Sequence, residues 1–261
     1  MKIPLFQVDA FATEVFRGNP AAVCILDKWL KDDLLQSIAE ENNLSETAFV
    51  VLKPQGVELR WFTPCTEVDL CGHATLAAGF VLFEYGQHPA GTIDFETRKS
   101  GTLTVLRKGD LLEMDFPARP VMAQTNPSEL QDALRMTPSA SFVSQEDLLV
   151  VLDSEASVRE CKPDFKALEK IECRGVIITA SGEKSDFVSR FFAPKVGIPE
   201  DPVTGSAHCV LAPYWAQRLG KSDLHAFQVS KRGGELFCRY EGERVKISGK
   251  AVLYFKGIIE I

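Results

Sequence analysis

The chain has 261 residues, 45% hydrophobic and 25% charged, enough apolar side chain for one large domain or two lobes around a substantial core. Acidic residues outnumber basic ones 36 to 29, for a formal net charge of -7 with no basic run, which argues against a nucleic-acid or anionic-membrane surface. No apolar run approaches a membrane span, and seven cysteines without paired spacing point to reduced thiols in the cytoplasm.

In chain order, "MKIPLFQVDAF" alternates apolar and polar residues like a strand rather than a secretory leader. "AAVCIL", "TAFVVL" and "VELRWF" are further β-rich runs bounded by Gly, Pro and Asn. Between them, "DDLLQSIAEEN" spaces Leu34, Leu35, Ile38 and Ala39 as a helix that stops at Asn42 and Asn43. The next helix is predicted from Gly72 to about Tyr85; apolar on all sides (Leu76, Ala77, Phe80, Val81, Leu82, Phe83), it is expected to be surrounded by protein. "PARPVMAQTNPSEL" near the midpoint reads as a linker. A third helix is predicted from Gly205 to about Leu219, carrying Val210, Leu211, Tyr214 and Trp215.

Three pairs of segments repeat in one order. "RWFTP" at Arg60 matches "RFFAP" at Arg190, an offset of 190 − 60 = 130, and "GHATLAAGF" at Gly72 aligns with "GSAHCVLAP" at Gly205, an offset of 205 − 72 = 133. "GTLTVLRKG" at Gly101 aligns with "GELFCRYEG" at Gly234 at that second offset. The pattern implies a duplicated unit, with lobes at residues 1–117 and 118–261, and a loop before Gly205 that is three residues longer than its partner. A helix start leaves N–H groups unpaired and electropositive, so two such helices would hold an anion, such as a substrate carboxylate, at a cleft between the lobes.

"FRGNPAAV", "NLSETAFV", "RWFTP", "EVDLCGHATLAA" and "EDPVTGSAHC" together resemble the PhzF-like proteins of phenazine-biosynthesis type, within the diaminopimelate-epimerase-like superfamily. The resemblance runs from Phe16 to Cys209 in family order. It implies an α+β fold of two pseudo-symmetric lobes, each a β-barrel-like sheet wrapped around a central helix. It also implies proton-transfer isomerisation of a small carboxylic acid, with no metal or organic cofactor. Carried over motif by motif, Glu46 would be the main acid/base, with His73 and Asp201 also catalytic. Gly72 and Ser206 would contact the substrate carboxylate, and Asn19 would line the pocket. A homodimer is the default assembly.

Taken alone, Glu46 is a turn carboxylate ahead of an apolar strand, His73 a core or capping histidine, and Asp201 a turn carboxylate in the longer loop. At an offset of 130 Glu46 falls opposite Val176, so the second half has no equivalent acid. That asymmetry suits a one-sided shuttle, since a carboxyl in an apolar setting can accept and return a proton near neutrality. His73, beside positive N–H ends, is expected to be neutral. Asp69 reads as a cap or turn residue.

An alternative is an epimerase or racemase that uses Cys71. Epimerases of this superfamily use two cysteines, but Cys71 falls opposite Thr204 or Asp201, which leaves only a Cys71/Asp201 pair. A further alternative is a catalytically idle binding protein. A metal site drawn from Cys65, Cys71, His73, His208 and Cys209 has no standard zinc spacing, and no metal is expected. "RGNP" and "VTGSAH" match neither a Walker loop nor a dinucleotide fingerprint.

Overall fold

A computed structural model describes residues 1–54, 56–86, 91–124 and 128–261. Among these the chain forms eighteen strands and six α-helices, a mixed α/β fold. No helix among them is long and apolar enough to cross a membrane. The chain divides into two compact units: Met1–Asp115 with Ser248–Ile261, and Phe116–Ile247.

Unit 1 begins with β1 (Lys2–Ala10), β2 (Asn19–Leu26), α1 (Asp32–Asn42) and β3 (Glu46–Lys53). β4 (Gly56–Phe62), β5 (Glu67–Val68), α2 (Gly72–Glu84), β6 (Thr92–Thr97), β7 (Thr102–Lys108) and β8 (Leu111–Pro117) follow. The apolar runs of the first half are strands, and the helices at 32 and 72 lie where the spacing put them. α1 ends because Asn43 turns left-handed, at φ 48°. β2 pairs parallel with β3, β3 antiparallel with β4, and β4 antiparallel with β5 and parallel with β6.

β3 is buried from Glu46 to Val51 because both faces of its sheet are covered, which is why it reads as an unbroken apolar run. On one face α1 sets Leu35 and Ile38 against Cys24, Leu26, Phe49 and Val51. α2 packs on β1, β2, β3 and β7, with nine of its residues, from His73 to Leu82, buried. Its approach to β7 is close: a Cβ on Gly79 would stand 2.8 Å from Val105 Cγ1.

Unit 2 runs β9 (Met122–Gln124), α3 (Ser128–Leu134), β10 (Ala140–Ser144), β11 (Asp147–Val151), α4 (Glu155–Glu160) and α5 (Phe165–Leu168). It continues with β12 (Gly175–Ser181), β13 (Phe187–Ala193), β14 (Ile198–Asp201), α6 (Gly205–Leu219), β15 (Asp223–Gln228), β16 (Gly234–Glu241) and β17 (Arg244–Gly249). Its pairings follow the same succession: β11 parallel with β12, β12 antiparallel with β13, and β13 antiparallel with β14 and parallel with β15. α6 packs on β11, β15 and β16, and α3, α4 and α5 cover a second core through Leu130, Leu134, Val158 and Leu168.

Two expectations about organisation change. The last strand, β18 (Ala251–Glu260), pairs along β1 from Lys2↔Glu260 to Ala10↔Ala251, so the C-terminal segment belongs to unit 1 and not with 118–247. The proposed linker contains β9, paired with β10, and the start of α3, while its residues 125–127 lie outside the described residues.

The repeated Arg-x-Phe has a structural reason. Arg60 is 2% exposed, forks onto Glu67 of β5 at 2.7 and 2.8 Å, reaches Asp32 at 2.9 Å and lies over the Phe62 ring. Arg190 does the same with Glu200 of β14 at 2.7 and 3.0 Å, over Phe192. Bidentate charge-assisted bonds of this kind carry geometry as well as energy. In each unit they tie down the short strand that leads into the glycine-opened helix.

Candidate active site

The N-terminus of α2 gathers five of the predicted site residues within unit 1. Cys71 is its N-cap in extended conformation, where its carbonyl accepts from Thr75 N–H at 3.1 Å and Thr75 Oγ1 at 2.6 Å. Asp69 is not the cap; it is exposed and pairs with Lys99 at 2.8 Å. Gly72 opens the helix, and His73 follows, buried, with its ring facing the first residues of β2 and β3.

Glu46 is the first residue of β3 and is buried. Its Oε2 stands 3.1 Å from His73 Nε2, yet it lacks a hydrogen bond of good geometry. Asn19, the first residue of β2, is fully buried, with Nδ2 3.1 Å from His73 Nδ1. Ser45 Oγ donates to Asn19 Oδ1 at 3.3 Å. Gly18 makes this placement possible: its φ is +64°, and a Cβ there would lie 2.1 Å from the Ala10 carbonyl oxygen.

Cys71 Sγ lies 3.5 Å from His73 Nδ1 and 4.0 Å from Nε2. Burial, reinforced by the Glu46 charge, pushes the Cys71 thiol up to about 11, so it is protonated at neutral pH. For His73, burial works against the charged ring, but Cys71 and Glu46 outweigh it and hold the imidazolium well above its ordinary value. With Cys71 a neutral thiol, the anion that matters is Glu46. The carboxylate at 3.1 Å thus pulls His73 toward the charged form, against the pull of the helix N-terminus toward a neutral ring.

Glu46, Cys71 and His73 bring their donor atoms within 4.8 Å of one another, the one three-residue set among the described residues able to hold a metal ion. It mixes a carboxylate, an imidazole and a thiol that must lose its proton to ligate. It is not the set drawn from the sequence, since Cys65 is exposed and is absent from it.

Asp201 and Ser206 lie in unit 2 with partners that sequence reading missed. Asp201 ends β14, and its Oδ2 accepts from Thr204 Oγ1 at 2.5 Å. Gln228, at the end of β15, is fully buried. It accepts from Thr204 N–H at 2.9 Å and donates to the Asp201 carbonyl at 2.7 Å. Ser206 Oγ accepts from Arg174 at 3.2 Å. The Arg174 guanidinium also forks onto the buried Asp147, with Nε to Oδ1 at 2.9 Å and Nη2 to Oδ2. The clue to Gln228 was an amide closing the apolar run "HAFQV"; Asp147 opens β11 and Arg174 precedes β12 with nothing to mark them.

His208, one turn into α6, donates from Nδ1 to the Thr204 carbonyl at 2.8 Å, and its Nε2 lacks a partner. Burial lowers it to about 4, so it is a neutral core residue. Cys209 is pushed up to about 12 by burial and belongs to packing. Two surface depressions in unit 2, one beside Pro213 and Tyr214 and one beside Lys170 and Ile171, contain none of these residues.

Comparisons with known proteins bear on the whole chain. The family model described as "Phenazine biosynthesis-like protein" matches residues 8–257. An uncharacterized isomerase of Pseudomonas aeruginosa is 55% identical over 261 residues, covering 100% of both chains. A PhzF-family crystal structure from Enterococcus faecalis is similar at TM-score 0.98 and 48% identity, covering 100% of both chains. The fold extends to a "Predicted Epimerase" of Pseudomonas aeruginosa at TM-score 0.76 and 20% identity, covering 98% of this chain and 99% of that one. A match of this extent places this chain in the phenazine biosynthesis-like protein family.

Proposed function

We propose that this protein is an isomerase that moves a proton within a small carboxylic acid, with Glu46 as the group that takes and returns it. The observation that carries this reading is the buried Glu46 Oε2, left without a well-made hydrogen bond beside the His73 ring. A structural carboxylate at that depth would have its lone pairs satisfied; an oxygen held in reserve suits a general base. The isomerase names of close relatives support the reaction class.

Glu46, ionised beside the His73 imidazolium, accepts a proton from a carbon of the substrate. The C–H electron pair stays on the substrate as a delocalised anion, which His73 stabilises by charge. Glu46, now a neutral acid, gives the proton to a different carbon. No electron is gained or lost overall, so the step needs no redox partner. The Gly72 N–H, at the start of α2, is suited to the substrate carboxylate. By resemblance alone, Asp201 is a further catalytic residue and Ser206 a contact to the substrate carboxylate. The Cys71/Asp201 epimerase alternative is the weaker reading, because a thiol pushed up to about 11 supplies little base at neutral pH.

Candidate acids incubated in deuterated water with the enzyme test the proposal. The wild type incorporates deuterium and Glu46→Gln does not, while the two give the same melting profile. Incorporation by a folded Glu46→Gln would remove Glu46 from its role.

A further inference from the structure

We propose that Asn19 and Ser45 act together as a positioning pair that sets which ring nitrogen of His73 carries the proton and keeps the other nitrogen partnered as the ring gains or loses its charge. The inference rests on the proposed function, in which His73 stands beside the proton-carrying Glu46.

A side-chain amide nitrogen only donates. With Asn19 Nδ2 at 3.1 Å, His73 Nδ1 must therefore be the acceptor. The neutral ring then carries its hydrogen on Nε2, the atom 3.1 Å from Glu46 Oε2. An imidazolium has a hydrogen on both nitrogens and would set donor against donor at Nδ1. A half-turn of the Asn19 amide removes that conflict, because Oδ1 then receives Nδ1–H and Nδ2 turns toward Ser45. Ser45 Oγ, 3.3 Å from the amide, can follow, since a hydroxyl donates to Oδ1 in one state and accepts from Nδ2 in the other.

The titratable groups facing the ring are Glu46 from β3 and Cys71 from the cap of α2. Asn19 and Ser45 add polarity on the Nδ1 side without adding charge. An aspartate at position 19 would act differently, as a permanent acceptor that locks Nδ1 protonated. The depth of the pair in the fold explains the choice of side chains: Asn19 is fully buried, where an unpaired imidazole nitrogen costs more than it would in water.

Nitrogen-15 NMR of histidine-labelled full-length protein without substrate, with His73→Gln used to assign the signals, tests this. Titrated into the alkaline range, wild-type His73 is expected to show Nε2–H with an unprotonated Nδ1. Asn19→Asp is expected to raise the His73 midpoint by more than about one pH unit, and Asn19→Leu to remove the preference for one tautomer. A neutral wild-type ring protonated on Nδ1 would overturn the proposal, as would a folded Asn19→Asp whose midpoint matches wild type. The tautomer measurement needs no variant in place of Asn19 and no substrate. Its failure is therefore distinct from a failure of Glu46→Gln to block deuterium uptake.

Discussion

Replacing Gln228 by leucine probes how the loop that carries Asp201 is held. Gln228 is fully buried; it accepts from Thr204 N–H at 2.9 Å and donates to the Asp201 carbonyl at 2.7 Å and to Thr204 Oγ1 at 3.2 Å. Leucine is close in volume and leaves no large cavity, but it strips the backbone N–H and C=O of those bonds. At about 1–3 kcal/mol for each buried group left unpaired, the loss is about 2–6 kcal/mol. The more apolar side chain returns about 1–2 kcal/mol through burial. The expected net destabilisation is about 1–4 kcal/mol, read as a lower urea midpoint at unchanged slope, with turnover reduced as Asp201 loses its anchor. Gln228→Glu keeps an acceptor for Thr204 N–H but sets an ionised oxygen against the Asp201 carbonyl. Its deficit is therefore expected to shrink as pH falls and the new carboxyl regains a donor. A Gln228→Leu protein within about 0.5 kcal/mol of wild type, with full turnover, would refute the clamp.

His208 makes stability depend on pH. Its folded value of about 4 lies below the ordinary 6.5, so between these limits the unfolded chain binds more protons and stability falls as pH falls. At about 1.4 kcal/mol per pH unit the loss reaches about 3 kcal/mol by pH 4; His208→Leu removes that part of the slope in urea titrations at several pH values. Cys71→Ser is expected to keep turnover within about tenfold, since the thiol is protonated and no proton passes through it; a loss of about a thousandfold would favour the epimerase reading. Gly18→Ala forces a Cβ to 2.1 Å from a backbone oxygen at positive φ. It is expected to cost at least about 2 kcal/mol by urea denaturation and to displace Asn19, visible as a shift of the His73 titration.

The sequence was most legible where packing imposes a period or a run. β3 reads as a strand because both of its faces are covered, and α2 as a buried helix because protein surrounds it. The Arg60 and Arg190 motifs stood out because each unit needs the same carboxylate-paired guanidinium to hold the short strand ahead of its helix. Glu46, His73, Asp201 and Ser206 were found through family motifs, since a carboxylate ahead of a strand has many ordinary explanations. Ser45, Gln228, Arg174 and Asp147 left little trace. Each acts through a partner more than 20 residues away, and no local pattern records such a pairing.

Periodicity was thus sufficient for the apolar strands of the first half and for three of the six helices, because these follow from local propensity and from which faces must be buried, while the residues worth testing came from motif order. Tertiary structure alone decided that the last strand returns to β1 and that the ring of His73 lies between Asn19 and Glu46. It also set the direction in which that ring's proton affinity moves. Proton affinity is set by which groups stand within a few ångströms after folding, and a carboxylate 27 residues away in the chain counts for more there than the helix on which the histidine sits.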